Sequence, residues 1–127
     1  MIKVADVMTR EVMSLHAETT LRDAVAFLAN QHVSGAPVVD ARGHLVGAIS
    51  NSDLMQAESE GTDLDATAIE EVMTRKTLTV SPETELREAA LAMEYGEVHR
   101  LFVQQDGALV GVISRSDVSR ALATGRV

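Results

Sequence analysis

Leu45-Val46-Gly47-Ala48-Ile49-Ser50-Asn51-Ser52-Asp53 recurs as Leu109-Val110-Gly111-Val112-Ile113-Ser114-Arg115-Ser116-Asp117. Each stretch is an apolar run that ends in serine and leads through two residues to aspartate. Outward from it, Val7-Met8-Thr9-Arg10 recurs as Val72-Met73-Thr74-Arg75, and Glu18-Thr19, Leu21-Arg22 and Ala24 match Glu83-Thr84, Leu86-Arg87 and Ala89. The spacing is 65 residues up to the middle of each copy and 64 beyond it, so one residue is lost in a turn near Arg42-Gly43. An internal repeat governs the fold. It predicts two similar units about a pseudo-twofold axis, with any site in one unit mirrored in the other.

The first copy covers 1–57 and the second 66–127, with Gly125-Arg126-Val127 expected to fray. Between them the acidic stretch 58–65, Glu58-Ser59-Glu60-Gly61-Thr62-Asp63-Leu64-Asp65, reads as a solvated linker. A copy of about 60 residues buries only about 60% of its surface, so the two are expected to fold as a pair. Aromatic residues are scarce (Phe27, Tyr95, Phe102), which leaves an aliphatic core filled out by methionine.

Within each copy the periodicity changes in the same order. Val12-Met13-Ser14-Leu15 and Thr77-Leu78-Thr79-Val80 are β-rich runs. Leu21, Ala24, Val25 and Leu28, like Leu86, Ala89, Ala90 and Met93, form the apolar stripe of an amphipathic helix. Thr20 with Asp23 makes a capping pair at the first helix, whereas Ser81-Pro82-Glu83 opens the second differently. Strands follow at Ala36 to Val39 and Leu101 to Val103, then a turn, then Leu45 to Ser50 and Leu109 to Ser114. Ser52 and Ser116 open a last helix. Six strands and four main helices predict a two-layer α/β arrangement.

The strand-Ser-x-x-Asp-helix junction carries the chemistry. A helix N-terminus presents unpaired N–H groups that suit a phosphate, and an ionised aspartate accepts from a pair of ribose hydroxyls. The alternative is that the serines and aspartates only cap helices, with the glycines permitting close packing. The pattern Gly-apolar-Ile-Ser-x-x-Asp, twice, each after an Asp/Glu-Val-Met-Thr-Arg lead-in, resembles the tandem CBS domain pair, or Bateman module. That resemblance spans nearly the whole chain. It implies an α/β (α+β two-layer) fold of two pseudo-symmetric β-α-β-β-α repeats packed as one module. It also implies a non-enzymatic regulatory unit that binds adenine nucleotides in clefts between its copies, and dimerisation.

Carried over by residue, the resemblance casts Asp117 and Asp53 as ribose-binding groups, with Ser114 and Ser50 near ribose or phosphate. Thr77-Leu78 and Val12-Met13, with Ile113 and Ile49, would border the base. The copies differ where charge matters: His99-Arg100 stands where the first copy has Ser34-Gly35, and Arg115 replaces Asn51. Arginine supplies forked, always-charged donors for phosphate, so the second copy reads as the stronger site and the first as the weaker.

The expected ligands are AMP, ADP, ATP, NAD or S-adenosylmethionine, with Mg accompanying ATP. A separate regulated protein would read the bound state, and the chain would act as a homodimer. The rival is a ligand-independent scaffold whose exposed face is Leu54, Met55, Val118, Ala121 and Leu122. Net charge is −8, which opposes nucleic-acid binding. The chain has no cysteine, no close histidine spacing, no P-loop and no nucleophile elbow, so neither an enzyme nor a metal site is expected. Neither a signal peptide nor a membrane-length apolar run is present, and a cytoplasmic location is the expectation.

Overall fold

Residues 1–125 are described by a computed structural model of the chain, so the expected frayed end lies partly outside the described residues. In chain order the elements are α1 (Val4–Val7), β1 (Leu15–His16), α2 (Leu21–Gln31), β2 (Gly35–Val39), β3 (Leu45–Ser50) and α3 (Asn51–Ser59). A 3-10 turn (Ile69–Glu71) then precedes β4 (Thr79–Val80), α4 (Leu86–Gly96), β5 (Arg100–Gln105), β6 (Ala108–Ser114) and α5 (Arg115–Ala123). The architecture is mixed α/β with two three-stranded sheets, β1-β2-β3 and β4-β5-β6. In each, the first pair is parallel, bridged by a helix, and the second is an antiparallel hairpin.

Compact units and sequence copies do not coincide. One unit, here the central unit, is Met13–Thr77; the other, the terminal unit, joins Met1–Val12 to Leu78–Val127. The lead-in of the first copy therefore packs with the body of the second, and the lead-in Val72-Met73-Thr74-Arg75 packs with the body of the first.

The repeated glycines explain why. In the terminal unit Thr9 bridges to Val112, N–H to carbonyl in both directions at 2.9 and 3.0 Å. A Cβ on Gly111 would lie 2.7 Å from Met8 Sδ and 2.9 Å from the Thr9 carbonyl oxygen. In the central unit Thr74 bridges to Ala48, and a Cβ on Gly47 would lie 2.7 Å from the Thr74 carbonyl oxygen and 2.8 Å from Met73 Sδ. Each lead-in thus lies on a strand at a distance only glycine allows.

Each unit has its own core. In the central unit Leu15, Leu21, Leu28, Val38, Ile49, Leu54, Ile69 and Met73 cluster; in the terminal unit Val4, Met8, Leu86, Met93, Leu101, Val103 and Ile113 do. A fully buried aliphatic side chain contributes about 1.5–3 kcal/mol, so each cluster is the main stabilising term of its unit. The helical stripes bury Leu21, Ala24 and Leu28, and Leu86, Ala89 and Met93. Val25, assigned to the stripe, is 42% exposed.

Other expectations shift locally. The first strand of each copy has only two residues, Leu15–His16 and Thr79–Val80, so Val12-Met13-Ser14 and Thr77-Leu78 lie outside it. The missing residue is in the hairpins: β2 and β3 are joined through Asp40 and His44 by the loop Ala41-Arg42-Gly43, whereas Gln105 and Ala108 pair directly around Asp106-Gly107. Asp106 and Gly107 both have positive φ, 52° and 85°, as a two-residue hairpin turn requires. Residues 58–65 are more ordered than a solvated linker. α3 runs on to Ser59, and Leu64 packs half-buried against the central core.

Candidate functional site

The junctions of β3 with α3 and of β6 with α5 are built alike. Ser50 and Ser114 end their strands in extended conformation and are the N-caps of the helices. Ser114 Oγ accepts from the Asp117 N–H at 3.2 Å, and Asp117 Oδ2 accepts from the Ser114 N–H at 2.8 Å and from its hydroxyl at 3.0 Å. Ser50 and Asp53 repeat this at 3.2, 2.9 and 3.0 Å. This reciprocal box satisfies donors that a helix start leaves orphaned. Ser52 and Ser116, expected to open the helices, are instead exposed residues of the first turn, one position after its start.

The two aspartates part company at their second oxygen. Asp117 is only 7% exposed, and its Oδ1 accepts from Arg120 Nη2 at 2.6 Å. Gln56 holds the position of Arg120 in the central unit, and Asp53 Oδ1 has no hydrogen-bond partner among the described residues. Arg120 escaped the sequence reading, although an aspartate and an arginine three apart on a helix face one another. Asp117 Oδ1 retains acceptor capacity beside that cation, since a carboxylate oxygen accepts more than one hydrogen bond.

Of the three expected phosphate donors, Arg115 is already engaged. Its Nε donates to the Val98 carbonyl at 2.9 Å and its Nη2 to the Met93 carbonyl at 3.2 Å, while Nη1 lies 3.6 Å from Glu94 Oε2. The guanidinium closes the C-terminal end of α4, where unpaired carbonyls concentrate negative charge. Arg100 is different. It opens β5, sits in register with Ser114, is exposed, and has no ion pair or side-chain hydrogen bond among the described residues. His99 is exposed as well, and its carbonyl accepts from the Arg115 N–H at 2.9 Å. Ser34 and Asn51 make the same backbone bond at 2.9 Å, with Gly35 in register with Ser50.

The residues expected to border the base divide. Ile49 and Ile113 are fully buried in their cores, so their side chains line no opening. Leu78 is 50% exposed, and its carbonyl accepts from the Phe102 N–H at 3.3 Å. Its Cδ1 covers Gly96, where a Cβ would come within 2.5 Å. Thr77 is half-buried and is the last residue of the central unit. Val12 is half-buried at the end of the first lead-in, and Met13 is 57% exposed.

The expected scaffold face is also divided: Leu54 and Ala121 are buried, Val118 is half-buried, and Met55 and Leu122 are exposed. Among the described residues no three His, Asp or Glu side chains are grouped to hold a metal. No helix there is long and apolar enough to cross a membrane.

Comparison with known proteins bears on these junctions. The family model of the CBS domain matches twice, over residues 4–60 and 69–124. The protein MJ1232 of Methanocaldococcus jannaschii is 34% identical over 96% of this chain and 40% of its own length. This chain spans about a quarter to two fifths of the first curated relatives it matches. Among solved structures, CBSX2 in complex with AMP superposes with a TM-score of 0.85 at 30% identity, covering 100% of both chains. The CBS domain pair of protein MJ0100, in complex with 5′-methylthioadenosine and S-adenosyl-L-methionine, has a TM-score of 0.76 at 26% identity over 94% of this chain and 98% of that one.

Proposed function

The chain belongs to the CBS domain family, and on that premise we propose that it is a non-enzymatic sensor of an adenosine-containing ligand of the AMP, ADP or ATP class. The observation that carries this reading is the uncommitted cation beside a preformed acceptor. Arg100, without a side-chain partner among the described residues, is in register with Ser114, whose box holds the buried carboxylate of Asp117 at the start of α5. Ribose hydroxyls donate to Asp117, and phosphate accepts from Arg100, from His99 and from the Ser116 N–H, which has no acceptor among the described residues. Ser34, Gly35, Ser50 and Asp53 offer a second site without charged side chains for phosphate. The AMP bound by CBSX2 and the adenosine derivatives bound by the MJ0100 pair support the ligand class.

In this reading bound and free states differ in conformation, and a separate regulated protein distinguishes them in a dimeric assembly. A ligand shifts such an equilibrium only by its difference in affinity for the two states. The test is calorimetric titration with AMP, ADP and ATP, with NAD, S-adenosylmethionine and Mg-ATP as comparisons. Arg100→Ala is expected to weaken a nucleotide monophosphate by about tenfold or more, as loss of a charge-assisted contact does. Asp117→Asn, which keeps an acceptor for the Ser114 N–H, is expected to weaken it more than Asp53→Asn does. Absence of heat and of thermal shift with every ligand at millimolar concentration ends the proposal.

A further inference from the structure

Each unit encloses a crevice between its lead-in and the helix that follows its serine–aspartate box. In the terminal unit Asp6 and Val7 line it with Asp117, Arg120 and Thr124, around about 320 Å³. In the central unit Glu71 and Val72 line it with Asp53, Gln56 and Glu60, around about 240 Å³. These residues match one for one in the repeat: Asp6 with Glu71, Asp117 with Asp53, Arg120 with Gln56 and Thr124 with Glu60. Both crevices therefore reach the aspartate of the box, and they differ in what stands beside it.

In the central crevice every ionisable lining residue is a carboxylate: Asp53, Glu60 and Glu71. The Gln56 amide donates to Glu60 Oε1 at 3.1 Å, and Asp53 is half-buried with no cation against it among the described residues. In the terminal crevice Arg120 Nη2 donates to Asp117 Oδ1 at 2.6 Å, and Thr124 replaces the carboxylate of Glu60. The Asp117 side chain is 8% exposed and that of Arg120 69%, so a cation at the mouth neutralises a carboxylate in the wall. A guanidinium carries five N–H groups in a fixed fork, and Arg120 makes one hydrogen bond among the described residues. Its other donors can serve an anion without releasing Asp117.

We propose that Arg120 and Gln56 decide the charge of the adenosine ligand that each unit takes, a step that rests on the ligand reading above and deepens it. A phosphate joined to a ribose at Asp117 meets a carboxylate already neutralised and accepts from the guanidinium that neutralises it. A phosphate joined to a ribose at Asp53 meets an unneutralised carboxylate, with Glu60 and Glu71 on the walls. Like charges a few ångströms apart at a half-exposed site repel enough to change affinity about tenfold. The terminal unit therefore selects a nucleoside phosphate, and the central unit an adenosine derivative without phosphate. Discrimination here comes as much from the repulsion built into one copy as from the attraction built into the other.

The probes are AMP and adenosine, each titrated into the full chain at low ionic strength. Amide chemical shifts at Ser114 and Asp117, and at Ser50 and Asp53, report which unit is occupied. Arg120→Gln is expected to weaken AMP in the terminal unit about tenfold and adenosine by less than about twofold, with Arg120→Lys between. Gln56→Arg is expected to strengthen AMP in the central unit about tenfold. Both positions are exposed on helices, where Arg and Gln have similar propensities, and thermal melts check folding. Equal weakening of AMP and adenosine by Arg120→Gln overturns the proposal, because Arg120 then only braces Asp117. So does an AMP affinity that neither variant changes; in both outcomes AMP still binds and the ligand reading stands. Binding of neither compound at millimolar concentration ends the proposal, and the ligand reading falls with it only when the wider titration is silent too.

Discussion

Where the central unit has Ala29, Ser34, Asn51 and Gln56, the terminal unit has Glu94, His99, Arg115 and Arg120. The backbone bonds at these positions are nevertheless the same: Asn51 N–H to Ser34 carbonyl and Arg115 N–H to His99 carbonyl, both at 2.9 Å. The serine–aspartate boxes also agree to within about 0.1 Å in each distance. Geometry is therefore held by main chain, caps and glycine contacts, which are indifferent to most side-chain changes. Charge is free to diverge on top of it. In the terminal unit that divergence braces α4 through Arg115 and Asp117 through Arg120, and leaves Arg100 without a side-chain partner among the described residues.

The largest expected effect tests whether the exchanged lead-ins hold both units equally. Gly47→Ala and Gly111→Ala each place a methyl against a carbonyl oxygen at 2.7 and 2.9 Å. Overpacking of this kind costs about 1–3 kcal/mol, and the closer approach makes Gly47→Ala the worse. Urea unfolding with an unchanged slope would report that loss as a lower midpoint. A neutral Gly111→Ala would mean that Met8 and Thr9 lie loosely on β6, and the equivalence of the lead-ins would break.

Those glycines also show what the sequence could reveal. The repeat, the element order and the helix stripes are local patterns, and Thr20–Asp23 capped α2 as its spacing implied. Which lead-in packs with which body is not local. Both copies carry the same Val-Met-Thr-Arg and the same glycine, so either pairing satisfies the sequence. At the junction, two serines stand two residues apart in each copy, and only the start of the helix distinguishes the cap from its neighbour. The burial of Ile49 and Ile113 follows from which face of a strand meets the core, which alternation leaves undecided when the run is apolar throughout. Arg115 looked like a phosphate donor because its carbonyl partners at Met93 and Val98 are invisible until α4 is placed.

A smaller effect concerns a strain the two units share. His32 and Glu97 follow α2 and α4 in the left-handed region, with φ of 55° and 54°, a position where glycine is the usual choice. A side chain there costs about 1–2 kcal/mol, part of which glycine returns through its freer unfolded chain. His32→Gly and Glu97→Gly are each expected to stabilise by about 0.5 kcal/mol net, read as a higher thermal midpoint. Unequal gains would locate the difference between the units at these helix ends as well as at the charges.

The smallest effect separates the units by pH. In the central unit Arg22 holds the Asp65 carboxyl below its ordinary value, and the His44 and Arg42 N–H groups, at 3.0 and 2.9 Å, hold Asp40 low. The terminal unit has Gln105 at the position of Asp40. A carboxyl lowered on folding adds stability above its unfolded value, and loses it as pH falls through the lower folded value. Protection of the central unit against hydrogen exchange, relative to the intrinsic rate at each pH, is therefore expected to fall as pH drops below about 4, and Asp40→Asn with Asp65→Asn should flatten that response. In the terminal unit the Glu83 carboxylate raises the Lys3 ammonium above its ordinary value of 10.5. Its contribution is complete below that value and is lost as pH climbs through the raised one, so it disappears at the alkaline end. Asp65, Lys3 and their ion-pair partners are exposed and Asp40 is half-buried, so salt screens these contacts and the acid response should shrink at high ionic strength. An acid response of the same size in residues 78–125 would show that these central-unit bonds are not its source.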